Sequence, residues 1–161
     1  MRPGVSFAPT PLVRRNTVGY SRPVGTLTTW MYVSRSCLTV ETAPAAVANI
    51  LAESQAHNAA NGITGVLLFT GARFAQLVEG SSGAINRLRA IISADERHDD
   101  LVTLSPPSST GRRFEGWSLA YNGDSGFVAT AVERVLAADA GQVEASALLR
   151  LMEELVAPGA F

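Results

Sequence analysis

The sequence predicts an α+β sandwich with elements in the order βαββαββ, followed by additional carboxy-terminal helices. Three observations carry this. Short runs rich in β-branched and aromatic residues alternate with longer stretches whose apolar residues recur at helical spacing. Glycine and Asn-Gly punctuation separates these runs. After Asn122-Gly123 the periodicity is helical only.

Residues 1–26 hold four prolines (Pro3, Pro9, Pro11, Pro23), four arginines (Arg2, Arg14, Arg15, Arg22) and no acid. No period is sustained there, which predicts a disordered extension, a start codon placed too early, or a basic arm for an acidic partner. Leu27 to Ser34 reads as the first strand, with Trp30, Tyr32 and Ser34 on one face and Met31 and Val33 on the other. Thr42 is placed to cap the next helix and Pro44 suits its first turn. That helix runs to about Ala60, where Asn61-Gly62 stops it. Val47, Ile50, Leu51, Ser54 and Asn58 share one stripe on it, so Asn58 is expected to point inward. His57, about 100° around the helix, is expected to be more exposed. Ile63 to Thr70 is an almost unbroken apolar run, as in a central strand.

Gly71 marks a tight turn into a third strand, Arg73 to Glu79, on which Phe74, Gln76 and Val78 share a face. The second helix follows Gly80 to Gly83, with Ala84, Leu88, Ile91, Ile92 and Asp95 on its inner stripe. Asp100 to Ser105 is a fourth strand, ended by Pro106-Pro107. Arg113 to Tyr121 is a fifth, with Trp117, Leu119 and Tyr121 expected on one face. Two helices on one face of a largely antiparallel sheet give a ferredoxin-like sandwich over residues 27–121. Residues 122–161 form a helical extension. Phe127, Val128, Ala131, Val132, Val135 and Leu136 make one pattern; Val143, Ala147, Leu148, Leu151, Met152 and Leu155 make the other. They suit either the sheet face left open or a dimer.

Composition narrows the function. Apolar content of 47 % fits a globular protein, and a net charge of −1 gives no overall basic field to attract nucleic acid. All 13 basic residues are arginine. One cysteine, Cys37, predicts a reducing compartment, and no run approaches the roughly 20 residues of a membrane helix. A cytoplasmic protein is expected. Two histidines and an isolated cysteine make a metal site unexpected. There is no GxGxxG after a strand, no P-loop, and no Ser-His-Asp arrangement that can be nominated. An RNA-binding sheet would show aromatics in a basic setting, against the acidic tail and sparse aromatics here.

The polar residues on apolar faces carry the functional signal. A buried amide without partners costs roughly 1–3 kcal/mol, so inward Asn58 and Gln76 on different elements suggest a polar ligand between helix and sheet. Tyr32 and Gln76, on neighbouring central strands, can form a short hydrogen-bond chain of reversible direction. A core tyrosine and a glutamine bonded to backbone is the plainer alternative. Asn58, Arg97 and His98 form a candidate ligand clamp beside Asp95; a solvated helix end is the plainer reading of Arg97-His98. Ile50 and Ile92 are placed to clasp a flat ring, though ordinary core gives the same pattern.

The ordered pieces M-Y-V-S, S-Q-A-H-N-A-A-N-G-I-T-G, F-A-Q-L-V-E-G, D-E-R-H and R-R-F-E-G-W resemble those of BLUF domains, flavin-based blue-light sensors. The resemblance covers roughly Leu27 to Tyr121 and implies FAD held without a covalent bond between the two helices. It implies that Asn58, Arg97 and His98 meet the flavin edge, and that Tyr32 and Gln76 are the photoactive pair. The signal is then a rearranged Tyr-Gln-flavin hydrogen-bond network after light-driven electron and proton transfer, not a chemical product. Ser54, Trp117 and Leu119 are implied to relay it. Many relatives carry methionine where this chain has Leu119; leucine cannot accept the weak hydrogen bond a thioether can. The chain resembles the short family members that act as homo-oligomers or through a separate effector protein. The competing expectation is a ferredoxin-like module, or an enzyme of that fold, with a different small molecule.

Overall fold

The structure, a computed structural model, describes residues 26–137 and 141–158. The expected amino-terminal extension therefore lies, but for Thr26, outside the described residues. The elements are β1 (Leu27–Ser36), α1 (Ala43–Ala60), β2 (Thr64–Phe69), β3 (Arg73–Ser81), α2 (Ser82–Ser93), β4 (His98–Leu104), β5 (Trp117–Asn122), α3 (Gly126–Arg134) and α4 (Gln142–Val156). The five strands form one sheet in the order β4-β1-β3-β2-β5. Only the β2–β5 pairing is parallel. This is the expected α+β, ferredoxin-like arrangement with extra helices.

Period-two alternation divides the core between the two sheet faces. Trp30, Tyr32, Val78, Leu67 and Phe74 face α1 and α2, where they pack with Val47, Ala84, Ile85 and Leu88. Met31, Val33, Val66, Leu68, Ala75 and Leu77 face the other way, onto Val128, Val132, Leu148 and Met152 of α3 and α4. The carboxy-terminal helices thus cover the second face, making three layers. Both sides of β1, β2 and β3 are buried, which explains the unbroken apolar run of β2.

Several local expectations change. Thr42 sits at the N-cap of α1 but makes no side-chain cap bond; its Oγ1 accepts instead from the Thr39 N–H at 3.0 Å. Asn61 ends the helix as expected, and Gly62 takes the left-handed conformation, φ 62°. Ile91, expected on the inner stripe of α2, is 55 % exposed although it borders the space between α1 and α2. Strand β4 begins at His98 rather than Asp100. Tyr121 leaves the face of Trp117 and Leu119, because a bulge shifts the register between Leu119 (opposite Leu67) and Tyr121 (opposite Leu68). Its ring packs with the α3–α4 layer.

Strand β5 begins at Trp117, not Arg113. The backbone N–H groups of Arg113 and Phe114 are instead taken by the Glu79 carboxylate, at 2.8 and 3.2 Å. Glu79 is completely buried and also accepts from Thr64 Oγ1 at 3.2 Å. Arg112 closes this corner, donating to the Glu79 and Gly62 carbonyls at 3.0 and 2.8 Å. A carboxylate whose lone pairs are met this fully is a fixed anchor. It ties the approach to β5 onto β3.

At Gly65 the backbone of β3 occupies the place of a side chain. The φ of Gly65 is 152°, and a Cβ there would strike the Leu77 carbonyl oxygen and come within 2.9 Å of Val78 Cα. Gly65→Ala is expected to destabilise the protein by about 3 kcal/mol, the sum of backbone strain and overpacking. Urea unfolding of both proteins checks this; equal midpoints would show that the strands part freely.

Candidate functional site

A cavity of about 200 Å³ opens between α1, α2 and the sheet. Its lining includes Tyr32, Ile50, Ser54, Asn58, Gln76, Ile92, Asp95, Arg97 and His98. Nine residues singled out in the sequence therefore converge on one space. Trp117 and Leu119 do not line it; they pack together beside Val47 and Leu67, one strand away.

At the floor, β1 and β3 pair with Tyr32 directly opposite Gln76. The Tyr32 hydroxyl donates to Gln76 Oε1 at 2.7 Å, and both residues are buried. Burial, and behind it the Asp95 charge, pushes the Tyr32 phenol well above its ordinary range. Tyr32 therefore keeps its proton at any physiological pH and holds it against an amide oxygen. Trp30 stacks on the Tyr32 ring at 4.6 Å, so the phenol can move little.

Asn58 supplies the test of a ligand. It is 1 % exposed, and its Oδ1 is buried with no hydrogen-bond partner. An acceptor left so is uncommon and points to a missing donor. A flavin carries an imide N–H flanked by carbonyls on a flat, mostly apolar ring. The lining offers that acceptor, a guanidinium, and aliphatic and aromatic walls from Ile50, Leu67, Phe74, Leu88 and Ile92. The residues present fit the group.

Arg97 and His98 are each held in place. Arg97 grips Asp95 through Nε and Nη2, at 2.9 and 2.6 Å, and reaches Glu53 of α1 at 3.4 Å. It thereby straps the α2–β4 connection to α1 across the cavity mouth. Partial burial opposes ionisation of Asp95, but the hydrogen bonds and charge of Arg97 outweigh it and hold the carboxyl below its ordinary range. His98 Nε2 lies 2.6 Å from the Ile92 carbonyl and Nδ1 lies 2.6 Å from Ser34 Oγ. A carbonyl only accepts, so Nε2 carries a proton; in the neutral ring Nδ1 accepts from Ser34. With both nitrogens engaged, His98 presents ring surface to the cavity. It also satisfies a carbonyl of the last turn of α2.

Sequence reasoning set His57 aside. It is half-buried, more exposed than Asn58 as expected, yet it lines the cavity with Glu53 and Phe74. Its place one residue before an inward asparagine on α1 was the available signal. Trp117 Nε1 is a second buried polar atom without a partner. Among the described residues no cluster suited to a metal ion occurs, and no helix is long and apolar enough to cross a membrane.

The model of the family "BLUF: Sensors of blue-light using FAD" matches residues 27–120. The photoactivated adenylate cyclase subunit beta of Euglena gracilis is 31 % identical over 101 residues, which is 63 % of this chain but 12 % of that protein. The chain thus spans a small fraction of that relative's length. Among solved structures, the dark state of BlrB, a BLUF protein, matches with a TM-score of 0.60 and 31 % identity, over 74 % of this chain and 90 % of that one. The ground state of BlsA matches with a TM-score of 0.65 and 25 % identity, over 82 % and 89 %. A family model spanning more than half of the sequence, laid over a cavity of matching chemistry, identifies the chain as a member of the BLUF family, sensors of blue light that use FAD.

Proposed function

We propose that this chain is a photoreceptor without catalytic turnover, whose flavin ring occupies the cavity between α1 and α2. The orphaned Asn58 Oδ1 is the single observation that carries this placement. Asn58, Arg97 and His98 meet the ring edge, Ile50 and Ile92 wall its faces, and Asp95 holds Arg97 in position. Bound there, FAD supplies blue-light absorption and, when excited, a strong demand for an electron.

The protein's part is to meet that demand and record it. Tyr32 is the electron and proton source, and Gln76 Oε1, 2.7 Å away, is the first atom to receive the proton. Before light the Gln76 oxygen accepts from Tyr32, leaving its amide N–H groups for other partners. Protonation of Oε1 removes the reason for that orientation and the amide turns; the electron and the proton then return to Tyr32, which is restored, and the neutral amide is left in a second arrangement. Two arrangements of one buried amide are the two states of the switch. Ser54 on α1 and Trp117 and Leu119 on β5 carry the change outward. Glu79 anchors the approach to β5 to the strand that bears Gln76, which supports that route. We also place the protein in the cytoplasm, as a homo-oligomer that acts on a separate effector protein.

Three variants test this assignment. Tyr32→Phe and Gln76→Leu keep the packing but each removes one partner of the switch. Both are expected to purify yellow with FAD and to lack the small red shift that blue light produces in the parent protein. A normal red shift in Tyr32→Phe would show that Tyr32 is not the donor. Asn58→Leu trades an unpartnered acceptor for an apolar group of similar size. Thermal unfolding should show the flavin-free protein more stable by about 1 kcal/mol, while FAD affinity falls about ten-fold. Unchanged affinity would remove Asn58 from the binding edge.

A further inference from the structure

Two stacked rings, not one, stand at the cavity floor. Trp30 is 3 % exposed and lies against the Tyr32 ring, with centroids 4.6 Å apart and planes inclined by 27°. Tyr32 lines the cavity and Trp30 does not, which puts the indole second in line behind the phenol. An indole gives up an electron more readily than a phenol that keeps its proton, so Trp30 is a competing electron source for light-excited FAD. The two losses have different consequences. Oxidation of Tyr32 sends its proton to Gln76 Oε1, 2.7 Å away. Oxidation of Trp30 leaves the Tyr32 hydroxyl intact, and no proton reaches Gln76. The electron then returns from the flavin to the indole cation, every bond is as before, and the light is not recorded.

The surroundings of the indole oppose that loss. Its Nε1–H donates to Thr103 Oγ1 at 3.1 Å; a hydroxyl is no base, so an indole cation here cannot be relieved by shedding its proton. The guanidinium of Arg89, on α2, stands over the Trp30 ring, 5.2 Å from its centroid. A cation in that place is attracted to the face of a neutral indole but repels an indole that has itself become a cation. None of the ion pairs among the described residues includes Arg89, so no carboxylate there cancels its charge. The negative charge of Asp95, by contrast, acts on Tyr32, where it favours loss of an electron. We propose that Arg89 confines the light-driven oxidation to Tyr32 by making Trp30 the harder of the two stacked rings to oxidise. Arg89 does not line the cavity; it is a positioning residue that places the charge, acting through Trp30. This role rests on the photoreceptor reading above.

The quantum yield of the red shift, with transient absorption to identify the radicals, tests this in the FAD-bound protein. Arg89→Gln removes the charge and keeps a polar side chain. Arg89 is exposed and solvent screens part of its field, so the yield should fall about two-fold rather than vanish, with a short-lived indole radical cation appearing in its place. Arg89→Lys, which keeps the charge, should keep the parent yield. In Trp30→Phe, whose ring is far harder to oxidise, adding Arg89→Gln should change nothing. FAD affinity and thermal unfolding should be the same in all Arg89 variants. The same order of the rings can be read without flavin. In FAD-free Trp117→Phe protein, Trp30 is the single tryptophan. Oxidation by azide radicals in pulse radiolysis should there leave a larger indole share of the radicals with Arg89→Gln than with Arg89 present. A parent red shift with an unchanged yield in Arg89→Gln, or a loss of yield that persists in Trp30→Phe, would overturn the role of Arg89 and leave the photoreceptor reading standing. An equal indole share in the two FAD-free proteins would do the same. A FAD-bound parent with no red shift would overturn that reading, and this inference with it.

Discussion

The hydrogen bond from Tyr32 to Gln76 depends on register before it depends on chemistry. The two side chains meet because β1 and β3 pair with their Cα atoms opposite. A slip of either strand by one residue would turn its side chain to the other sheet face and part the pair. That register is locked from behind. Met31, Val33, Ala75 and Leu77, which alternate with the functional residues, are completely buried under α3 and α4. The carboxy-terminal helices therefore help to hold the switch although none of their residues touches the cavity. The low-dielectric setting they help create also keeps the phenol protonated.

The cavity itself is a compromise between folding and binding. A buried Asn58 oxygen without a donor costs stability in the flavin-free chain, and in the placement proposed above the ligand's N–H would offset that cost. The Arg97 strap shows a related economy: its guanidinium is already aligned by Asp95 and Glu53, so little ordering is left for binding. His98 is fixed between Ser34 and the end of α2, which turns a helix terminus into a wall of the site.

Much of this was legible in the sequence because it follows from periodicity. The period of two put Tyr32 and Gln76 on inward faces, and helical spacing put Ser54 and Asn58 on one stripe. What could not be read depends on tertiary partners. The bulge that turns Tyr121 away from Leu119 leaves no mark in a period-two count. Glu79 looked like the polar end of a strand; only the folded loop of Arg112 to Phe114 makes it a buried anchor, and the same loop delays β5. Thr42 has the right type for a cap, yet Thr39 competes for its hydroxyl. His57 was discounted on angle alone, but the cavity is wide enough to reach around the helix to it.

In the mechanism proposed, light is stored as a changed hydrogen-bond arrangement of one glutamine. The most direct measurement is a light-minus-dark infrared difference spectrum of the FAD-bound protein with ¹³C-labelled glutamine. Blue light should shift an amide carbonyl band that moves with the label, and Gln76→Leu should abolish this signal. A red-shifted state whose difference spectrum is insensitive to the label would contradict it.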